Sequence, residues 1–456
     1  MNEPMFATDR LNDWFKEDLR QPNIFRLMLI ISLFGTFTNY AHISTLASIF
    51  ALMLWPFGLT LGWRVPKPTI ALAFLFGLVL IHVVIYGPEL LFDRAFYRRD
   101  GNFFVTMTPL LFFTCLAFPL NLKLIVERFV YFVTVLNLIV FLVWLIMGVA
   151  LFRDWAPDVG LQDTTKLYHF LFVAHNAAGG FLGILCCLSM VMFLHHRNAI
   201  NLAILALNIA TLLATFSRGS IAGFFVAVLL VYLFRFSRKL SISVILGMLA
   251  INLILVGYIY NNTDILPILA RQVLVTQIIG DLHPSVQPLL DGNTAIRLET
   301  LWPMAMHAFF QSPIFGIGFS AFNDVPWDLW GWEGLVAFNL SQTTVSSDAT
   351  AHNTYLQLLA ETGILGLALL LWFVKRLFDY LIESEPGMVR DGLLMSLWMA
   401  LVSAFSEHRF FTPSQMLPFV LILAMHMANT NYKILVSSHL QDLSKRRRNK
   451  LAANRR

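Results

Sequence analysis

The sequence predicts an all-α polytopic membrane protein with about twelve transmembrane helices and one long periplasmic loop that carries amphipathic helices. Three observations lead there. Of 456 residues, 57% are hydrophobic and 13% charged, against roughly 25% charged in soluble domains, and the mean hydropathy is +0.69. Apolar runs long enough for about 20 helical residues, the length that crosses a hydrocarbon core, recur along the chain. These runs do not alternate apolar and polar residues, which argues against a β-barrel.

Residues 1–23 form a short amphipathic cytoplasmic lead. The polar stretch NDWFKEDLRQPN precedes the first apolar run, and no small-residue cleavage site follows that run. The first helix is therefore expected to be an uncleaved anchor. Spans are predicted at about 24–40, 43–62, 69–87, 103–119, 125–152, 169–194, 199–216, 219–235 and 240–260, and after the loop at about 354–382, 389–405 and 413–429. Most of the 32 lysines and arginines fall on the side that also holds the KRRRNK run at 445–450, with Arg94, Arg98 and Arg99 the main exceptions. By the positive-inside bias, both termini and the basic 430–456 tail are cytoplasmic and the 261–353 loop is periplasmic. The whole chain, 1–456, reads as a single membrane domain in the bacterial inner membrane. Cys115, Cys186 and Cys187 all lie in predicted helices, so no extracellular disulfide is implied. The net charge of +5 reflects topology and attraction to anionic lipid, not nucleic-acid binding. No internal repeat is visible, and no pair of Gly/Pro-broken helices recurs in matching halves as in many transporters.

An outer loop of this length is too long for a mere connector. Residues 265–279 and 294–310 place apolar side chains at three- and four-residue spacing, which predicts amphipathic helices on the membrane face. SPIFGIGFSAF (312–322) reads as a Pro/Gly turn. Trp327, Trp330 and Trp332 suit an interfacial aromatic belt better than sugar stacking, and SQTTVSSDAT (341–350) is a polar stretch.

The polar residues that need explaining gather around this loop. Arg218 sits between two apolar helices, where an arginine costs roughly 2.5–3.5 kcal/mol at bilayer depth. It either snorkels to the headgroups or serves as a fixed cation suited to phosphate, because guanidinium offers a planar donor fork. Arg297 stands five residues before Trp302. In AHNTYLQLLAETGILG (351–366), Asn353 is a good N-cap for a helix starting at Thr354, whereas His352 carries the side chain best suited to proton transfer near neutral pH. Glu361 lies about two and a half turns further on, facing away from His352, and is expected to bond to a neighbouring helix. His82 reads as a core residue. HNAAGGFLG (175–183) suggests close helix packing at Gly179 and Gly180 rather than chemistry at Asn176. SEHRFF (406–411) adds Glu407, His408 and Arg409 in the last outer loop. FGIGFSA matches a loose G-x-G-x-x-A without a surrounding βαβ unit, so a dinucleotide site is rejected. Walker A, H-E-x-x-H, D-x-D and paired Cys or His at metal spacing are absent from the sequence.

Taken in order, SRG after an apolar helix, R-x-x-x-x-W, P-x-x-G-x-G and H-N-x-Y-L-x-x-x-x-E-x-G-x-x-G resemble the bacterial O-antigen ligase/polymerase superfamily over about 215–225 and 297–366. The resemblance implies a glycosyltransferase that moves a glycan from undecaprenyl diphosphate to a hydroxyl acceptor at the periplasmic face. The acceptor is lipid A–core in ligases and another lipid-linked repeat unit in polymerases. It implies diphosphate binding by Arg218 and Arg297, catalysis by His352, and no metal or other cofactor. Asn353 and Tyr355 match the pattern and, with Arg409, are placed among the substrate-binding residues. The motifs do not separate ligase from polymerase. A lipid-linked-oligosaccharide transporter would distribute ionisable residues through the membrane interior, whereas here they collect at one face. A membrane scaffold would leave the outer cluster unexplained.

Overall fold

The computed structural model describes residues 29–36, 65–92, 101–112, 114, 116–117, 119–151, 167–172, 174–234, 297, 301–324, 350–410 and 412–453, with isolated positions between 243 and 254. The expected span at 43–62, the loop helix at 265–279, the tryptophans at 327, 330 and 332 and nearly all of 341–350 lie outside the described residues, as does Cys115. The described residues are helical, with no strand among them.

Ten helices carry the architecture among those residues: α1 (Lys67–Tyr86), α2 (Asn102–Phe112), α3 (Leu122–Met147), α4 (His175–His195), α5 (Ala199–Ala214), α6 (Arg218–Phe234), α7 (Trp302–Gln311), α8 (Thr354–Glu383), α9 (Met388–Ser403) and α10 (Pro413–Ala453). Of these, α1, α3, α4 and α8 are long and apolar enough to cross a membrane. The expected runs at 69–87, 125–152, 199–216, 219–235, 354–382 and 389–405 are matched to within a few residues, whereas α4 begins at His175 and not at 169. The expected 24–40 span lies partly, and the 240–260 span almost wholly, outside the described residues. The 103–119 run forms a helix only to Phe112, with Pro109 inside it, where a ring without an N–H interrupts the ladder. The last run continues as one helix to Ala453, so the basic 445–450 segment is a helical extension of α10.

Local signals place the boundaries. Asn121 caps α3 by accepting from the Leu124 N–H, and Gly148 ends it at φ 69, a left-handed conformation that glycine adopts without a Cβ penalty. Asn198 caps α5 in the same way, accepting from the Asn201 N–H.

α4 is the centre of the bundle, packed by α5, α6, α9 and α10. Small residues make this possible. A Cβ on Gly179 would overlap Ser217, and one on Gly183 would overlap Met399. Around it, α1 and α3 leave much of their apolar surface exposed, as helices facing acyl chains do. Polar pairs tie α3 to α5 inside the bundle. The Asn137 amide donates to Asn208 Oδ1 (3.2 Å) and Thr211 Oγ1 (2.8 Å), and its own oxygen accepts from the Tyr168 hydroxyl (2.6 Å). With little hydrophobic drive between helices in lipid, such interhelical hydrogen bonds and close packing supply the association.

α8 breaks its own ladder at Gly363, where φ is 65 and ψ −165. The loop turn fills the break. Ile317 and Gly318 donate their N–H groups to the carbonyls of Ala360 and Glu361, both at 3.0 Å. In return the N–H groups of Ile364 and Leu365 donate to Pro313 (2.9 Å) and Ile314 (3.3 Å). Backbone meets backbone so closely that a Cβ on Gly316 would overlap Glu361 and one on Gly363 would overlap Ile314. P-x-x-G-x-G and E-x-G are thus two halves of one joint. It fixes the 312–318 turn against the helix that begins just after His352.

Candidate active site

The starts of α4, α6, α8 and α10 and the end of α9 meet at one end of the bundle, and the polar residues singled out in the sequence collect there. Arg409 shows how. It is 1% exposed, yet its guanidinium touches four separate segments. Nε donates to Ser403 Oγ (2.9 Å), Nη1 to the Asn176 carbonyl (3.3 Å) and to Gln415, and Nη2 to Ser220. Its backbone N–H donates to Thr354 Oγ1 at 3.0 Å. A Cβ on Gly180 would overlap this guanidinium, so the glycines of HNAAGGFLG serve packing and make room for the arginine. Burial pushes Arg409 down to about 10, with Arg297 adding to the shift and Glu407 opposing it. It remains a cation at neutral pH.

His352 stands in a backbone conformation that a non-glycine residue rarely adopts, φ 46. Such a residue costs of order 1–3 kcal/mol and persists only where its neighbours over-determine it. Both neighbours are pinned. On one side Ala351 donates its N–H to Gln357 Oε1 (2.7 Å) and accepts at its carbonyl from Trp302 Nε1 (3.0 Å). On the other, Asn353 Oδ1 accepts from the N–H groups of Tyr355 and Leu356, both at 3.1 Å. Asn353 therefore caps α8, as its type suggests. Glu361 orients Gln357 by accepting from its Nε2 at 2.6 Å. This partner lies in its own helix, one turn back, because i and i−4 side chains share a face, and His82 of the neighbouring α1 bonds the Glu361 backbone. The carboxylate is thus linked through Gln357 to the residue beside His352.

The imidazole, 39% exposed at its side chain, faces a buried ion pair. Arg297 Nη1 donates to the Ser406 carbonyl (2.7 Å), and Nη2 donates to Glu407 Oε1 (3.3 Å) while lying 3.5 Å from His352 Nδ1. Glu407 Oε2 is 3.9 Å from that same nitrogen, beyond hydrogen-bond reach. Burial works to raise the Glu407 carboxyl, but Arg297, with His352 and Arg409, holds it well below the usual carboxylate range. His352 is lowered from its ordinary value by removal from solvent and by the charge of Arg297, against the opposing pull of Glu407. The same imidazole therefore stays neutral near pH 7. His408 is pushed down to about 3, chiefly by burial and then by His352.

Arg218 opens α6, half-buried. It and Arg297 both lie within electrostatic reach of His175, as do Glu407 and His169. The His169 ring lies 6.1 Å from that of His175. The structure therefore brings Arg218, Arg297 and His352 to one end of the bundle. Tyr355 is 2% exposed and donates its hydroxyl to the Leu401 carbonyl at 2.9 Å, tying α8 to α9. Like Arg409, it faces protein. Sequence reasoning missed His175 and His169 as members of the cluster and Gln357 as an anchor. His175 immediately precedes the Asn176 that was weighed, and Gln357 falls in an unassigned position of the H-N-x-Y-L motif. No group of three or more His, Cys, Asp or Glu residues suited to hold a metal occurs among the described residues.

This geometry presents a neutral imidazole beside the Arg297 guanidinium at one end of a helical bundle, with Arg218 within electrostatic reach of the neighbouring His175. Chemically it suits a base next to an oxyanion site. Residues 202–371 match the family model described as O-antigen ligase. No curated protein matches the chain. The matched segment carries Arg218, Arg297, His352 and the glycine joint. Glu407, Arg409 and the His169–His175 pair lie outside it.

Proposed function

We propose that this membrane protein, whose residues 202–371 match the family model described as O-antigen ligase, transfers a glycan from undecaprenyl diphosphate to the hydroxyl of lipid A–core, at the periplasmic face of the inner membrane. The observation that carries this reading is the approach of Arg297 to His352, 3.5 Å between Nη2 and Nδ1. It sets an anion-binding group beside a candidate base.

In the proposed reaction Arg218 and Arg297 hold the donor diphosphate, each able to grip an oxyanion pair through its fork. The acceptor oxygen attacks the anomeric carbon from the face opposite the diphosphate. The bond from that carbon to the phosphate oxygen breaks, and its electron pair leaves with the diphosphate, where the two cations neutralise the growing charge. His352 Nε2 takes the acceptor proton and later releases it to solvent. Attack from the opposite face inverts the anomeric centre, and no step calls on a metal. Asn353, Tyr355 and Arg409 hold the site in shape in this reading.

Ligase and polymerase differ only in the acceptor, so a deletion strain separates them. Lipopolysaccharide with no band above core supports the ligase. Core carrying a single repeat unit identifies a polymerase instead, and an unchanged ladder sinks both.

A further inference from the structure

Arg297 is already engaged before any substrate arrives. Its Nη1 donates to the Ser406 carbonyl, and its Nη2 is shared between Glu407 Oε1 at 3.3 Å and His352 Nδ1 at 3.5 Å. An arginine nitrogen has only hydrogens to offer. The Nδ1 facing it therefore presents a lone pair, and in the neutral ring the proton sits on Nε2. An imidazole in that tautomer cannot accept a proton at Nε2, and its basic nitrogen is turned toward a cation. Yet Glu407 Oε2 lies only 3.9 Å from the same Nδ1. If Arg297 withdraws, a small side-chain rotation brings the carboxylate onto Nδ1. The carboxylate itself is buried, 5% exposed at its side chain, so it keeps one partner or the other.

We propose that Glu407 is a positioning residue passed from Arg297 to His352 when the donor diphosphate binds, so that His352 becomes a base at Nε2 only after the donor is in place. This rests on the functional reading above. A diphosphate carries more charge than one carboxylate and offers paired oxygens to the guanidinium fork, which is the difference in affinity that such a switch requires. The proton balance closes. As Arg297 leaves, the half-exposed ring loses its Nε2 proton to solvent and gains one at Nδ1, with no net change in charge. The Nδ1–H then donates to Glu407. When Nε2 takes the acceptor proton, the resulting imidazolium is stabilised by the same carboxylate. An imidazole oriented by a carboxylate at one nitrogen to act at the other is a familiar arrangement for general bases. Among the described residues, His408 also lies within electrostatic reach of this ring.

The test uses the full-length protein, uniformly ¹⁵N-labelled at histidine in lipid bilayers, with undecaprenyl diphosphate free of glycan as the probe. The His352 signals are assigned by difference from His352→Gln. The expected result is an unprotonated Nδ1 without the probe and a protonated Nδ1 at saturation. Binding of the probe with the tautomer unchanged overturns the hand-over and leaves the functional reading intact. Failure of the probe to bind overturns both. In parallel, Glu407→Gln should lower kcat by about 100-fold or more, the lower range for general-base loss, while the probe binds as well as before or about two- to fivefold tighter because Arg297 is released from an ion pair. Glu407→Asp should recover part of kcat. A loss of probe affinity in Glu407→Gln that parallels a lower melting temperature would reduce Glu407 to a structural ion-pair partner.

Discussion

Replacing Gln357 with leucine tests whether the strained turn at His352 is held in place from a distance. The substitution keeps volume but removes both polar ends of the amide. Oε1 no longer accepts from the Ala351 N–H, and Nε2 no longer donates to Glu361. Both partners are buried, Ala351 and Glu361 each at 0% exposure. An unsatisfied buried N–H costs about 1–3 kcal/mol, and a lost hydrogen bond is worth about 0.5–1.5 kcal/mol. The two losses fall on neighbouring groups and need not add, so about 3 kcal/mol is a fair figure for the pair. Against it stands the strain of His352, of order 1–3 kcal/mol, which the anchors now hold in check. If the lost anchoring falls on the turn, the productive conformer loses up to about 100-fold in population, since each 1.36 kcal/mol is a factor of ten. Transfer by purified protein with a lipid-linked donor should fall by that order, while undecaprenyl diphosphate binding changes little because Arg297 makes no hydrogen bond to Gln357 or Glu361 and is held at Ser406. Exchanging the two residues, Gln357→Glu with Glu361→Gln, retains an acceptor for Ala351 and a donor–acceptor pair one turn apart, so it should restore most of the activity. Wild-type turnover by Gln357→Leu would refute the anchoring argument.

Arg218→Lys or Arg297→Lys should each lose most transfer activity at normal expression, because an ammonium cannot reproduce bidentate recognition of an oxyanion pair; full transfer by either variant removes it from the diphosphate site. Gly316→Ala should lower the melting temperature in detergent, costing at least about 2 kcal/mol through φ +74 and overlap with the Glu361 backbone. Gly77→Ala, where nothing lies within 4 Å of an added Cβ, should be neutral or slightly stabilising, and equal losses from the two would mean that the joint is not special. For pH, His352 sits below its ordinary value of 6.5 under the influence of burial and Arg297. It is therefore neutral, and competent as a base in the proposed reaction, at pH values where an unperturbed histidine is already protonated. The acid limb of kcat/KM should accordingly lie below 6.5, and a limb above that value contradicts the assignment.

The helices were legible because their signal is long and redundant. Apolar runs of spanning length, Asn121 and Asn198 as caps, and Gly148 as a terminator each mark a boundary through local chemistry. The three residues of the proposed chemistry were also visible, since Arg218, Arg297 and His352 are costly in an apolar setting and lie near one loop. What the sequence concealed depends on tertiary pairing. Nothing local tells that Gly316 and Gly363 meet, because each looks like an ordinary turn or packing glycine until the other arrives. Arg409 reads as a cation of the last outer loop and a candidate substrate contact, yet Gly180, Ser220 and Gln415, contributed by three different helices, pack around it. The link from Glu361 to Ala351 passes through Gln357, a polar residue with no distinctive spacing of its own. Most of the 261–353 loop falls outside the described residues, so the expectation for 265–279 and for the Trp trio stays an expectation.

The central claim, that His352 is the base of a glycan transfer whose donor is held by arginines, is tested most directly by single-turnover kinetics of His352→Ala preloaded with lipid-linked donor. Donor affinity should match the wild type within a few-fold, and the transfer step should slow by at least about 100-fold, the lower range for a lost general base. Wild-type transfer would move the base elsewhere, with His408 the first candidate. Loss of donor binding would instead make His352 part of the diphosphate site and contradict the general-base assignment.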